Sequence, residues 1–264
     1  MNPETAVNQA QPGRCLSVRR EGRCLHVVLC NPEAGNPLNR RLIDDLHAVM
    51  DSVEQDTEIS LIVLAAQGAI FCDGMDFGEA LATAGNAEQA LHHAVHRFHD
   101  LLDRMTRIPV IVASLVEGRV NAGGMGLVAA CDLVLASETA DFGLSEVLFG
   151  LLPATVTPFL VRRVGFQAVY RMALTAQRMT AKQALASGLV DEMTEQPTDS
   201  LRRLRIRADR LQRPAVARIK TFYADFAAIG PDSAQRAERA LAALLSDGQV
   251  AATIKTLLSP GNPL

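Results

Sequence analysis

Residues 110–137, VIVASLVEGRVNAGGMGLVAACDLVLAS, hold the pattern that decides the fold. VIVASLV (110–116) is a short apolar run typical of a strand covered on both faces, and Glu117-Gly118 ends it. N-A-G-G-M-G then opens a short helix over 122–130, and CDLVLAS (131–137) predicts the next strand. This order predicts a layered α/β core: a strand, a glycine-bearing turn, a short helix and a further strand.

The preceding part of the chain continues this pattern. Residues 15–19 and 23–30 predict two strands around a turn, and SLIVLAA (60–66) predicts another buried strand. Between them, Asn39 is a plausible N-cap for a helix over 40–54, in which apolar residues recur at helical spacing.

The order of elements is a strand–strand–helix rhythm of unequal turns, with a further helical stretch near 87–106. Beyond about residue 197 the pattern is helical to the end. We therefore predict three parts: a flexible N-terminal tail (1–13), an α/β core (14–195) and a helical C-terminal domain (196–264).

Composition bears on the class of function and on the cellular compartment. The net charge of −3 and the aromatic content of 4% argue against a nucleic-acid-binding protein. The five cysteines show no C-x-x-C pair and lie in apolar runs, as thiols do in a reducing compartment. Without an apparent signal peptide or a run long enough to span a bilayer, we expect a cytoplasmic protein that does not enter membranes.

Two glycine-bearing loops, C-D-G-M-D-F after strand 60–66 and N-A-G-G-M-G after strand 110–116, are candidates for chemistry. Glycine lets the backbone approach a ligand closely, and the N–H groups at the start of a helix suit a developing anion. Each loop alone could also be an ordinary tight turn. Glu146 lies among apolar neighbours, where burial raises the pKa of a carboxyl group. It could equally be a glutamate that satisfies the first N–H groups of a helix.

The order of three motifs resembles the crotonase (enoyl-CoA hydratase) family: F-C-D-G-M-D-F, then V-N-A-G-G-M-G-L-V-A-A-C-D, then F-G-L-S-E-V-L-F-G-L-L-P. The resemblance covers about residues 16–225. It implies a crotonase-like ββα spiral core with a helical C-terminal trimerisation domain, assembled as a homotrimer or hexamer. It also implies that the backbone N–H groups of Met75 and Gly123 bind a thioester oxygen, that Gly124 contacts substrate and that Glu146 is the catalytic acid–base. No cofactor is implied beyond the phosphopantetheine or CoA that carries the substrate.

One departure from the family pattern narrows the reaction. Hydratases of this family usually carry a second glutamate six residues before the aspartate of the C-D pair, and Gly126 occupies that position. The dehydratases of polyketide β-branching are similar in lacking it, and the sequence is closest to these. That resemblance implies dehydration of 3-hydroxy-3-methylglutaryl attached to an acyl carrier protein. A hydratase or isomerase, a decarboxylase on the same scaffold and a non-enzymatic RNA-binding member remain alternatives.

Basic residues offer sites for an acidic partner and for the substrate carboxylate. Residues 201–220 contain eight basic residues and one acid, Asp209, a band that could steer an acyl carrier protein or form a solvated helix face. The candidates for carrier or pantetheine contact are Arg213, Arg218 and Lys220. The candidates for binding the substrate carboxylate inside the pocket are Arg97 and Arg119. Asp73, next to the first loop, is a further candidate for substrate contact as a second acid, or it is an ordinary exposed loop aspartate.

Three histidines, His92, His96 and His99, follow helical spacing, and the first two are four residues apart. A metal site needs a third ligand, and no H-E-x-x-H pattern or neighbouring ligand accompanies the pair. The sequence therefore predicts no metal and favours a helix that faces solvent or borders the acyl pocket.

Overall fold

The computed structural model of this chain describes residues 15–76, 87–226 and 229–257. The predicted N-terminal tail, 1–13, lies outside these ranges. In the described ranges the backbone forms two β-sheets and a set of helices that cover them. The strands are β1 Leu16–Glu21, β2 Cys24–Leu29, β3 Leu61–Ala66, β4 Ile70–Cys72, β5 Ile111–Val116, β6 Arg119–Asn121, β7 Leu133–Ala136, β8 Asp141–Gly143, β9 Met179–Thr180 and β10 Glu192–Met193. The helices are α1 Arg40–Gln55, α2 Ala87–Arg107, α3 Gly123–Ala130, α4 Thr157–Val164, α5 Phe166–Thr175, α6 Ala181–Ser187, α7 Pro197–Ala208, α8 Arg213–Ala224, α9 Ser233–Leu245 and α10 Gly248–Leu257.

The larger sheet has the strand order β1-β2-β3-β5-β7-β10. β1 and β2 form an antiparallel hairpin, and the remaining neighbours are parallel. Gly22 closes the hairpin with a φ of +60°, a conformation that favours glycine. The all-apolar strands predicted from sequence are confirmed because both faces of this sheet are covered. On one face Leu204 and Ala208 of α7 pack against Leu61 and Ala113, and the other face joins the main core.

Helix α1 begins as the sequence predicts. The Asn39 side chain accepts a hydrogen bond of 2.8 Å from the Leu42 amide, which satisfies one of the unpaired donors of the first turn. Leu42, Leu46 and Val53 are buried, so the apolar stripe of α1 faces the core.

A second, smaller sheet, with the order β4-β6-β8-β9, was not predicted. The sequence pattern placed the two glycine loops directly after the strands at 60–66 and 110–116. In the structure β4 and β6 intervene, and the loops follow these three-residue strands instead. Strands this short show no readable alternation of apolar and polar residues, so the apolar runs before them dominated the prediction. β4, β6 and β8 are parallel, and they position the functional segments described below.

In the described part of the chain beyond residue 195, the regular elements are helices, as predicted. These helices contact the core of their own chain: α7 covers the larger sheet, α8 packs against α2, and α9 packs along α2. Their predicted role in oligomerisation stays a prediction. Within the described residues, no helix combines the length and apolarity that crossing a membrane requires.

Candidate active site

Three segments with potential chemistry leave the same edge of the smaller sheet. Strands β4, β6 and β8 are parallel neighbours, so their carboxyl ends lie side by side. Asp73-Gly74-Met75 follows β4, Ala122-Gly123 follows β6, and Ser145-Glu146 comes shortly after β8. Ligand sites in α/β proteins commonly form where the carboxyl ends of parallel strands meet. The edge thus brings together Met75, Gly123 and Glu146, the three predicted catalytic positions.

The first two segments touch each other through glycine. Gly74 has a φ of +96°, and a Cβ placed on it would lie 2.8 Å from the Ala122 Cβ and 3.3 Å from the Gly123 nitrogen. The loop is held by two backbone hydrogen bonds, from the Leu38 amide to the Gly74 carbonyl (2.7 Å) and from the Asp76 amide to the Leu38 carbonyl (3.1 Å). In such a parallel bridge the amide of the middle residue, Met75, points away from Leu38. The Met75 N–H is therefore directed out of the bridge.

Gly123 is the first residue of α3, so its amide is one of those without an acceptor inside the helix. The preceding residue, Ala122, has a φ of +46°, a strained conformation for an alanine, and such strain concentrates at functional sites. A Cβ on Gly123 would lie 2.5 Å from the Leu38 Cδ1, so a larger residue would have to displace the buried Leu38 side chain. The two loops that carry the Met75 and Gly123 amides are thus in contact, and the role of these amides as a pair of donors to one oxygen stays a prediction.

Glu146 begins a 3-10 helix, Glu146–Phe149, that is fixed to the second segment. The Asn121 Nδ2 donates to the Ser145 Oγ (2.9 Å), and the Ala122 amide donates to the Gly143 carbonyl (3.0 Å). The Glu146 Oε2 is enclosed and has no hydrogen-bond partner among the described residues. Burial raises the pKa of Glu146 to about 7, and a hydrogen bond from its own backbone amide opposes this only in part. A carboxyl group with this pKa can both take up and return a proton near neutral pH.

Gly126, in α3, lies where the family's second glutamate is expected. It is buried, and a Cβ there would lie 2.6 Å from the Val156 Cγ1 and 3.0 Å from the Leu102 Cδ1. These neighbours leave no space for a longer side chain unless the packing moves. Helix α3, Gly123–Ala130, therefore contributes no carboxylate to the site, whereas Glu146 comes from the separate 3-10 helix.

The predicted substrate-binding residues divide into two groups. Asp73 and Arg119 meet each other at the edge of the site: the Arg119 Nη2 lies 3.1 Å from the Asp73 Oδ2, and the Arg119 Nε is buried without a partner among the described residues. Arg97 instead pairs with Asp44 of α1 (2.7 Å). The next residue along α2, Phe98, is the one that faces Gly123, with its Cε1 3.7 Å from a Cβ placed there, and the substrate contact of Arg97 stays a prediction.

Gly124 was also predicted to bind substrate, and the structure gives it a packing role. A Cβ on Gly124 would lie 2.7 Å from the Cys72 carbonyl oxygen and 2.8 Å from the Cys72 Cβ. The missing side chain lets the first turn of α3 lie directly on β4. Gly124 therefore sets the spacing between the two loops.

The three predicted carrier-binding residues also have different environments. Arg213 donates to the Val53 and Asp56 carbonyls (2.6 and 2.7 Å), which closes the end of α1. Lys220 is buried and lies 2.6 Å from the Asp132 Oδ2. Burial lowers the pKa of Lys220 and raises that of Asp132, and the attraction between the two charges opposes both shifts. The prediction of a carrier contact is thus corrected for Arg213 and Lys220, which have structural partners, and it remains for Arg218, which is exposed.

Arg178, which sequence reasoning missed, joins the strands beneath the site. It binds Asp141 of β8, donates to the Val120 carbonyl (3.1 Å) and lies 3.3 Å from the Asn121 Oδ1. A Cβ on Gly143 would lie 2.6 Å from the Arg178 Nη1, so this arginine fills the space above that glycine. Arg178 follows a helix in a segment without a motif, and no sequence signal marked it.

Comparison with known proteins agrees with this arrangement. The sequence model of the enoyl-CoA hydratase/isomerase family matches residues 19–255. The bacillaene synthase dehydratase PksH of Bacillus subtilis is 34% identical over 207 residues, which are 78% of this chain and 79% of that protein. The 2,3-dehydroadipyl-CoA hydratase of Escherichia coli is 33% identical over 67% of this chain and 68% of that protein. The crystal structure of Bacillus subtilis PksH superposes with a TM-score of 0.82 at 31% identity and covers 95% of this chain and 99% of the other.

These matches span the glycine loops, the short parallel strands and the buried glutamate, and the mixed α/β architecture is the crotonase-like fold that the motifs predicted. The chain belongs to the enoyl-CoA hydratase/isomerase family.

Proposed function

We propose that this enzyme removes water from 3-hydroxy-3-methylglutaryl carried on the phosphopantetheine of an acyl carrier protein, which gives the 3-methylglutaconyl thioester. The family and the relative named as a polyketide dehydratase support a hydro-lyase. The observation that carries the proposal is the enclosed, unpartnered Oε2 of Glu146, whose pKa is raised to about 7 at the edge where the two donor amides lie.

In the first step the thioester oxygen accepts hydrogen bonds from the Met75 and Gly123 amides. These fixed donors stabilise the negative charge that develops on the oxygen when the α-proton leaves. Removing one donor of this kind typically costs a factor of about 10² to 10³ in rate. A side-chain substitution cannot delete a backbone amide, so the positions of Gly74 and Gly123 determine this contribution.

In the second step ionised Glu146 takes the α-proton, and the electrons of the C–H bond move into the thioester as an enolate. The enolate then forms the carbon–carbon double bond as the bond to the β-hydroxyl breaks. Glu146 returns its proton to the departing hydroxide, so water leaves and the carboxylate is regenerated. One carboxylate suffices when the α-proton and the hydroxyl leave from the same face of the substrate.

The packing around Gly126 favours this single-carboxylate route. Two-carboxylate hydration needs a second acid in α3, and the neighbours Val156 and Leu102 fill the space that its side chain would require. In the proposed dehydration, Glu146 therefore both takes up the α-proton and returns it to the leaving hydroxyl, without a second acid from α3.

The terminal carboxylate of the substrate is proposed to bind Arg119. Its guanidinium lies 3.1 Å from Asp73 beside the first loop, and its Nε has no partner among the described residues. A substrate carboxylate could use that vacant donor. The carrier protein is proposed to dock near exposed Arg218, where a positive charge attracts an acidic surface.

Intact-protein mass spectrometry of a 3-hydroxy-3-methylglutaryl carrier protein tests the proposal, with the CoA thioester in parallel. Wild type and the control Glu138→Gln, an exposed glutamate in the turn before β8, should remove one water, and Glu146→Gln should not. Equal water loss by Glu146→Gln would refute the assignment of the base. The 3-methylglutaconyl carrier protein is offered as a second substrate: loss of CO₂ from it that survives Glu146→Gln would identify a decarboxylase, and a moved double bond at unchanged mass would identify an isomerase.

Self-association is part of the same proposal. Aromatic side chains are exposed on α8 and just after it, at Phe222, Tyr223 and Phe226, and such a patch is usually covered in solution. A homotrimer, or a hexamer of two trimers, would bury it by symmetry. Light scattering after size-exclusion chromatography should give a multiple of three chains, and a monomer or dimer would contradict this part.

A further inference from the structure

A cluster of two imidazoles and one carboxylate lies between α2 and α9, on residues that the proposed chemistry does not use. The His92 Nδ1 lies 2.7 Å from the Glu238 Oε1, and the His96 Nε2 lies 2.8 Å from the Glu238 Oε2. The two imidazole rings are 4.3 Å apart, and one ligand atom from each of the three residues lies within 4.8 Å of the others. The chain thus brings together a helical i, i+4 pair and a carboxylate that is 142 residues away from His96.

The third ligand is far away in the sequence. No neighbouring ligand accompanies His92 and His96 along the chain, and Glu238 comes from a helix in the predicted C-terminal domain. Packing of α9 along α2 supplies it. Two histidines and one glutamate, with remaining positions open to water, form a ligand set that zinc enzymes use.

We propose that His92, His96 and Glu238 bind one divalent transition-metal ion, of the Zn²⁺ and Co²⁺ class, that joins α9 to α2. Imidazole nitrogen with a single carboxylate favours these ions over Mg²⁺ and Ca²⁺, which require oxygen ligands. In the hydrogen-bonded arrangement, the His92 Nδ1 and the His96 Nε2 each direct one proton toward the Glu238 carboxylate. The ion replaces those protons between the same three side chains, with small rotations that open the 2.7 and 2.8 Å contacts to the spacing of metal ligands.

The surroundings suit entry and exit of an ion. The His92 side chain is 55% exposed, and those of His96 and Glu238 are 28% and 24% exposed. Solvent can therefore reach the open side of the cluster and complete the coordination. On the next turn of α2, His99 hydrogen-bonds to the Ser233 hydroxyl (2.6 Å), so the start of α9 is already held close to α2.

A bound ion would act as a clamp. The ligands come from two helices, so the ion binds only when α9 lies against α2, and binding then stabilises that docked state. The alternative is a carboxylate that only accepts hydrogen bonds from two imidazoles. The two arrangements differ in whether a metal ion binds and in which side chains it needs.

Cobalt titration of the full-length protein distinguishes them. Protein stripped with EDTA and dialysed is titrated with CoCl₂ by visible absorbance, and with ZnCl₂ by calorimetry. Variants His92→Ala, His96→Ala and Glu238→Gln are compared with His93→Ala, which changes an exposed histidine on another face of α2. Circular dichroism verifies that each variant folds.

The proposal predicts one ion per chain in wild type and in His93→Ala. Loss of an outer-shell partner typically weakens metal binding about 10- to 100-fold, so loss of a direct ligand should weaken it by more than about 100-fold. Zn²⁺ should raise the melting temperature of wild type and of His93→Ala, and not that of Glu238→Gln. Absence of saturable binding, or equal binding by wild type and Glu238→Gln, would overturn the proposal. Cobalt–thiolate charge-transfer bands would do the same, because they would place the ion on a cysteine. None of these readouts depends on the dehydration reaction.

Discussion

Replacing Glu146 with glutamine should remove activity and, at the same time, stabilise the fold at alkaline pH. Burial raises the pKa of this carboxyl group from 4.5 to about 7. Between those two pH values the folded state keeps a proton that the unfolded chain has released, so the free energy of unfolding falls as pH rises. Glutamine has nearly the same shape and does not titrate, so the variant lacks this pH-dependent cost.

The size of the effect follows from the shift. Each pKa unit corresponds to about 1.4 kcal/mol, so the difference between 4.5 and about 7 means that ionising Glu146 in the folded state costs about 3.4 kcal/mol once both states are ionised. About 1 kcal/mol of that cost is already present at pH 5, because the carboxyl group of the unfolded chain is partly ionised there. Relative to Glu146→Gln, wild type should therefore lose about 2.5 kcal/mol between pH 5 and pH 8.

Urea unfolding of wild type and Glu146→Gln at intervals from pH 5 to pH 8, at one protomer concentration, measures this difference. Glu138→Gln is the matched control, since it removes an exposed carboxylate and should follow wild type at every pH. A difference between wild type and Glu146→Gln that stays constant with pH would show that the folded-state pKa of Glu146 is not raised, and the argument for its catalytic role would lose its electrostatic basis.

Three further predictions follow from the site. The kcat/KM for dehydration should fall about tenfold per pH unit below pH 7, because Glu146 must be ionised to take the α-proton, and a flat pH profile down to pH 5 would exclude it as the base. Gly124→Ala should lower kcat by about 10² or more and destabilise the fold by about 1–3 kcal/mol, because the added methyl group meets the Cys72 backbone at 2.7 Å. Steady-state kinetics measures the first effect and urea unfolding the second. An unchanged kcat would contradict the role of Gly124 in spacing the two loops. Lys220→Met should destabilise the fold by about 3–5 kcal/mol, because it leaves Asp132 buried without its partner. Adding Asp132→Asn to the same chain should recover part of that loss, as measured by urea unfolding. If Lys220→Met alone left the free energy of unfolding unchanged, the pair would not be buried in solution.

The long buried elements of the fold could be predicted from sequence because their signals are local. The apolar runs at 60–66 and 110–116 became β3 and β5, and Asn39 capped α1 as its position predicts. The three-residue strands β4 and β6 could not be predicted, because they are too short to show alternation. Those short strands determine where the two glycine loops lie, so the pattern that located the loops did not reveal the sheet that holds them.

The positions of site residues could be predicted only where a position belongs to the backbone of a loop or to a motif. Met75, Gly123 and Glu146 lie at one edge because their motifs fix the local conformation. The charged residues depended on long-range pairing: Arg97 lies against Asp44, and Lys220 lies against Asp132. A basic residue in sequence carries no information about which carboxylate it will meet. The basic band was therefore a weaker guide than the glycine loops.

The glycine at position 126, where the family's second glutamate is expected, and the raised pKa of Glu146 are linked. In a site with two acids, one can stay ionised as a base while the other stays protonated as an acid, and the pKa values can lie far apart. With Gly126 in place of the second acid, one group must take the α-proton and then give it to the leaving hydroxyl. A base that is too weak would not remove the proton, and an acid that is too weak would not return it, so a pKa near neutral suits both halves of the cycle. Burial of a single carboxylate with an unpartnered Oε2 provides that pKa, which connects the packing around Gly126 to the reaction proposed for Glu146.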